Sequence, residues 1–137
     1  MGNEGQYYVL KTNGKFFYSG CEEFMDLIES KSSCCANLVA LGDWHNYVVQ
    51  FDDGSVYWSE DVPEDVEDIL NCRDVMLNFV WFSAHSPYEY AIGYDNGRWY
   101  KNLPDWLNDD VDTYFRHHSV KQLLVDEHTE NFFIRYS

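Results

Sequence analysis

The sequence predicts an α+β fold of three pseudo-repeated strand-strand-strand-helix units, set in a ring or propeller-like arrangement in which offset termini complete one unit. Three observations carry this expectation. An aromatic strand ending in an Asx-Gly pair occurs as Tyr47-Val48-Val49-Gln50-Phe51-Asp52-Asp53-Gly54, returns as Tyr90-Ala91-Ile92-Gly93-Tyr94-Asp95-Asn96-Gly97, and has an earlier copy from Tyr7 to Gly14, a period of roughly 40 to 43 residues. A second short aromatic strand follows each glycine: Lys15-Phe16-Phe17-Tyr18, Ser55-Val56-Tyr57-Trp58 and Arg98-Trp99-Tyr100-Lys101. A fourth copy, Phe132 to Ser137, starts in register and stops where the turn should come, so the chain opens inside one unit and finishes inside another.

Taken in order, the units span about residues 6–33, 34–73 and 74–118, with a partial unit 119–137, all in one domain 1–137. Asn-Gly or Asp-Gly between two aromatic runs predicts tight hairpins of type I′, with positive φ at Gly14, Gly54 and Gly97. Within the strands, Tyr47, Val49 and Phe51 share one face, as do Tyr90, Ile92 and Tyr94, and this apolar face is expected to be core. Helices follow at Glu22 to Ile28, where Cys21 stands before the first turn, and at Pro63 to Leu70 and Pro104 to Val111. A proline in the first turn loses no needed hydrogen bond there, and the acids behind it suit the helix dipole. His117-His118 closes the third helix, where an imidazolium suits the opposite pole. An apolar run precedes each hairpin: Leu38 to Leu41, Val75 to Phe82 and Val120 to Val125. Val49, Phe51, Ile69, Leu70, Ile92, Tyr94, Leu107, Val111, Leu124 and Ile134 are the expected core. The strand Phe132 to Tyr136 matches Tyr7 to Leu10, so one of them is surplus in a closed threefold ring. It is expected to pair within the chain or in a homodimer through the terminal strands.

Composition assigns the 137 residues to globular proteins: aromatic residues make up 18%, too many for a disordered chain. No apolar run reaches the roughly 18 residues of a membrane span, and the first residues lack the basic and apolar regions of a signal peptide, so a cytoplasmic or nuclear location is expected. The net charge of −15 repels phosphate backbones and disfavours nucleic acid. Cys34 and Cys35 are adjacent, Cys21 and Cys72 lie apart, and no zinc-type spacing is present; reduced, structural cysteines are expected.

The charge is uneven. Nine acids lie between Asp52 and Asp74 with Arg73 as their only opposing residue. Calcium is disfavoured because the acids do not follow an EF-hand spacing. Carboxylates beside aromatic rings hold lysine and arginine side chains by charge pairing and cation–π contact. The candidate binding residues are therefore Trp44, Trp58, Glu60, Asp61, Glu64, Asp65 and Trp99. Against this reading stand the bland alternatives, a solvated helix face and rings packed on helices. His45, His85 and His128 fall in corresponding loops, but their offsets differ, so no metal site and no cofactor is assigned. No nucleophile elbow, P-loop, zinc-protease or dinucleotide motif occurs, and Ser83, His85 and Asp95 supply triad ingredients without an elbow.

Gln50-Phe51-Asp52-Asp53-Gly54-Ser55 resembles the strand-turn-strand of small chromatin-reader barrels, which implies an aromatic cage for methylated lysine. The helix in every unit argues against carrying cage residues across. Three-lobed lectins have repeats near this length but carry four strands and no full helix. The leading expectation is a non-enzymatic interaction module that binds a basic protein or peptide. The alternatives are a small-ligand or carbohydrate-binding domain and an uncatalogued hydrolase.

Overall fold

The protein is described from a computed structural model that covers residues 7–10, 16–19, 22–31, 34–42, 46–60, 62–71, 76–83, 86 and 88–137. The elements run β1 (Tyr7–Leu10), β2 (Phe16–Ser19), α1 (Glu22–Ser30), β3 (Ala36–Leu41), β4 (Tyr47–Phe51), β5 (Val56–Trp58), α2 (Glu64–Asn71), β6 (Leu77–Phe82), β7 (Tyr90–Tyr94), β8 (Trp99–Asn102), α3 (Asp105–His117), β9 (Val120–Asp126) and β10 (Asn131–Tyr136). The fold is α+β. Its strands form small antiparallel sheets, β1-β2, β3-β4-β5, β6-β7-β8 and β9-β10, and none of the described sheets closes into a barrel. No described helix is long and apolar enough to cross a membrane.

Register shows how alike three of these sheets are. Val39 pairs with Val49, Val80 with Ile92 and Leu123 with Ile134; one step along, Ala40 pairs with Val48, Trp81 with Ala91 and Leu124 with Phe133. Each ladder then skips one residue at the same place, Asn37, Asn78 or Lys121, before Ala36, Leu77 or Val120 finds Phe51, Tyr94 or Tyr136. A bulge of this kind raises the local twist, so all three ladders bend alike. β3 runs alongside β6, and β6 alongside β9.

The β4–β5 and β7–β8 turns are built identically, although not as type I′. Gly54 and Gly97 have φ of +89° and +88°, as the Asx-Gly pairs require, yet Asp53 and Asn96 do not share the positive φ. Gly54 N–H donates to Phe51 O and Phe51 N–H to Ser55 O, and Gly97, Tyr94 and Arg98 repeat the pattern. This is a type I turn followed by a left-handed glycine in a bulge, a loop one residue longer than expected. The side chains of Asp53 and Asn96 accept the N–H groups of Ser55 and Arg98, which favours the longer form. Gly14 lies outside the described residues.

Helices and ladders alternate in space. α1 buries Phe24 and Ile28, α2 Val66 and Leu70, and α3 Leu107, Val111 and Phe115, each set at the four-residue spacing that makes one apolar stripe. The α1 stripe meets Leu41, Tyr47, Val49 and Phe51. The α2 stripe lies in a cluster with Ala40 and Val48 of one ladder and Phe82, Tyr90, Ile92 and Tyr94 of the next. The α3 stripe joins Phe79, Trp81 and Ala91 to Val120 and Leu123. Strand alternation explains the sharing, because Val49 and Ile92 point to the preceding helix while Val48 and Ala91 point to the unit's own.

Polar side chains repeat these joints. Tyr47 donates its hydroxyl to Glu23 Oε1 of α1 at 2.7 Å, and Tyr90, its equivalent, donates to Asp65 Oδ2 of α2 at 3.2 Å. In β10 the position is Phe132, and the second residue of α3 is Trp106; both pack against the same cluster. Gln50, buried in β4, accepts the Leu77 N–H at 2.8 Å and donates to the Leu77 carbonyl at 3.2 Å. Its amide thus stitches β4 to the edge of the next ladder. The register equivalent is Gly93, over which the Phe79 ring lies so closely that an added Cβ would meet it at 2.1 Å.

The expected core holds at Val49, Phe51, Leu70, Ile92, Tyr94, Leu107 and Val111, all buried; Ile69 and Ile134 are half-buried. Leu124 corrects the expectation, being 50% exposed. Register turns Leu123 toward α3, and Leu124, one residue on, faces the opposite side beside Phe133. At the ends, β1 pairs with β2 and β10 with β9, and among the described residues no ladder joins the first hairpin to the last.

Candidate functional site

Two regions carry chemistry. The first is the N-terminal half of α2 and the turn before it. Val62 is buried and anchors the turn, Val66 and Leu70 hold the helix to the core, and the spacing leaves Glu60, Glu64, Asp65, Glu67 and Asp68 exposed. Glu64, Asp65 and Glu67 occupy the first turn, where unsatisfied N–H groups favour anions, and the last turn carries no basic residue. The described ion pairs all lie elsewhere: Lys31 with Asp53 at 3.1 Å, and Lys101 and Arg116 with Asp112 at 2.9 Å and 2.5 Å. Glu60, Glu64, Glu67 and Asp68 therefore have no described cation opposite them.

Glu60, Glu64 and Asp65 stand exposed on this surface, and the two described tryptophans of the sequence reading are half-buried. Trp44 and Asp61 lie outside the described residues. Trp58 is half-buried against the α2 cluster and Trp99 against the α3 cluster. Trp99 also meets Phe115 edge-on at 5.3 Å, with Lys101 Nζ 5.4 Å from its ring centroid. The rings that reach solvent among the described residues are Tyr57 and Tyr100 on the outer strands, Tyr88 before β7, and Phe133 and Tyr136 of β10.

The protein's own lysines show what such surroundings do. Lys31 Nζ sits 5.4 Å from the Phe51 ring and 5.6 Å from the Tyr57 ring while pairing with Asp53. Hydrogen bonds from Ser55, assisted by Lys31, hold the Asp53 carboxyl well below the usual range, and the bond to Asp53 raises the Lys31 ammonium. Lys101 repeats the arrangement, over Trp99 and Phe115, donating to Asp112 and Asn108. Both pairs are internal, so they are models of recognition rather than vacant sites.

The second region was missed in the sequence. A cavity of about 810 Å³ opens among β3, β6 and the β9–β10 hairpin, with apolar walls that include Val39, Val80, Trp81, Leu124 and Phe133. Asp126, Glu127 and His128, in the hairpin loop, also line it. Hydrogen bonds from Thr129 and the His128 N–H hold the Asp126 carboxyl below its ordinary range, so it is anionic at neutral pH. Carrying the unit register onto the partial unit would have marked Phe133 and Leu124 as one face. His45 and His85 lie outside the described residues, and no three-residue metal-ligating group occurs among those described. Cys34 is half-buried with Sγ 3.5 Å from Asp53 Oδ2, and Cys35 is exposed.

No family model matches this chain, and it matches neither a curated protein nor a solved structure.

Proposed function

We propose that the protein is a non-enzymatic interaction module that holds a basic protein or peptide on its acidic surface. The observation that carries this reading is the α2 surface: Glu60, Glu64, Glu67 and Asp68 stand exposed and without a described cation on a chain of net charge −15. Such a field raises the encounter rate with a cationic partner and sets its orientation. Lys31 and Lys101, each lodged between carboxylate and aromatic rings, give the contact type a partner's lysine would make at Tyr88 or Tyr100. The test is binding of a lysine-rich peptide at two salt concentrations. Affinity should fall steeply with salt, and Glu64→Gln with Glu67→Gln should lower it in the dilute buffer alone. Salt-independent binding would reject the reading.

The cavity favours a second reading, a small-ligand or carbohydrate-binding domain, since its volume lies in the range of ligand pockets. Binding of a neutral sugar, unchanged by salt, would select it. The arrangement we infer for either reading is a ring of blade-like units with β3, β6 and β9 innermost. The common bulged register and the side-by-side run of these three strands support it. The edge of β10 that no described strand pairs is the place where a second copy would dock, and sedimentation over a range of concentrations reads that directly.

A further inference from the structure

We propose that the cavity beside β9–β10 receives one bulky apolar side chain of the bound basic segment, with a neighbouring cation of that segment seated on Asp126. The inference rests on the reading of a basic partner and adds the anchor that fixes where such a partner docks. Its starting point is a comparison inside the molecule. In the two three-stranded sheets the strand faces bearing Ala40 and Val48, and Trp81 and Ala91, are covered by α2 and α3 respectively. The register equivalents in the last ladder are Leu124 and Phe133, and they are 50% and 55% exposed. An apolar pair on a face that is core in both sibling ladders leaves hydrophobic surface in water, at a cost proportional to its area.

Charge selects the occupant. Asp126 brings negative charge to the cavity wall, and among the described lining residues His128 is the one basic side chain. Facing the same space are the apolar edges of β3 and β6, which carry no ionisable group there. An apolar body with an adjoining positive charge fits this lining, whereas an acidic segment meets the Asp126 carboxylate. A phenylalanine or tryptophan flanked by lysines has that composition and fits within about 810 Å³. Large aromatic side chains seated in desolvated pockets are the usual energetic anchors of an interface.

The experiment uses the full chain and two decapeptides of identical charge, one with a tryptophan between lysines and one with alanine in its place, titrated by calorimetry. The tryptophan peptide should bind about tenfold tighter, and Phe133→Ala should remove that advantage while leaving the alanine peptide unchanged. Leu124→Trp, which fills the cavity, should block the tryptophan peptide and serves if Phe133→Ala loosens the fold. Equal binding of both peptides, insensitive to Phe133→Ala, would overturn the anchor and keep the acidic reading. If neither peptide binds, the acidic reading fails; saturable binding of phenethylammonium, lost in Phe133→Ala, would then give the cavity to a free small cation and overturn the peptide anchor. Self-association abolished by Phe133→Ala would assign the face to a second copy and overturn it as well.

Discussion

The β6–β7 and β9–β10 ladders have the same pairing and the same bulge, yet opposite fates on one face. Ala91 is completely buried, and Phe133, at the same place in the register, is 55% exposed. Local sequence and turn geometry set which residues pair; what covers a face is set by the element packed next to it. The side facing α3 makes the point in reverse, because Phe132 and Ile134 are packed against the α3 cluster much as Tyr90 and Ile92 are packed against that of α2.

The largest expected effect tests this contrast directly. Ile92→Ala should cost about 2 to 5 kcal/mol by lost transfer energy and a residual cavity, whereas half-buried Ile134→Ala should cost clearly less. Chemical denaturation of both variants decides it, and equal losses would mean that the two ladders are equally supported. Next comes the stitch between ladders. Gln50→Leu leaves the buried N–H and carbonyl of Leu77 without partners and should cost about 1 to 3 kcal/mol, while Arg135→Leu, at the equivalent position, should change stability by roughly 0.5 kcal/mol or less. A neutral Gln50→Leu would show that another group takes over Leu77.

Gly93→Ala should cost about 1 to 3 kcal/mol because the Phe79 ring must leave its place in the α3 cluster. Unchanged stability would show that the ring gives way freely. A β-branched residue at Gly97, at φ +88°, should cost on the order of 1 kcal/mol or more, and the same change at Gly54 should cost as much, since the two turns are built alike. Unequal costs in thermal melts would separate the two units.

The smallest effect is a titration. Burial, and then the Asp65 carboxylate, push the Tyr90 phenol up to about 12. The folded state therefore holds this proton more tightly than the unfolded chain, whose phenol titrates near 10. The stability it contributes is complete below about pH 10 and is lost as pH rises toward 12. Tyr90→Phe should flatten that alkaline decline and remove one late-titrating phenol from the ultraviolet absorbance curve. Phe132 has no hydroxyl and offers no counterpart in β10.

Much of this organisation was legible in the sequence because it repeats locally. The Asx-Gly pairs gave the hairpins, the prolines and acids gave the helix starts, and the period-two faces gave Val49, Phe51, Ile92 and Tyr94 as core. The turn type was not legible, because Asp-Gly and Asn-Gly serve both the two-residue turn and the longer bulged one, and side-chain acceptance by Asp53 and Asn96 decides between them. That Trp99 lies half-buried against Phe115 with Lys101 beside it was not legible either, because those contacts join side chains whose placement a sequence does not show. Leu124 failed as core for a different reason. Its burial depends on a neighbouring layer, and a strand's own pattern says only that some apolar residue points each way.

The sharing of α2 and α3 between ladders has a consequence for how such a molecule can grow. Because each of these helices finishes one ladder and begins the support of the next, stability here is a property of neighbouring pairs, as in linear repeat proteins. A helix placed after β10 would cover Leu124 and Phe133 as α2 and α3 cover their counterparts, and a ladder added beyond it would need a helix of its own in turn. In an open array, lengthening moves the uncovered face without removing it; a cap, a returning segment, a bound partner or closure into the ring inferred above ends the series.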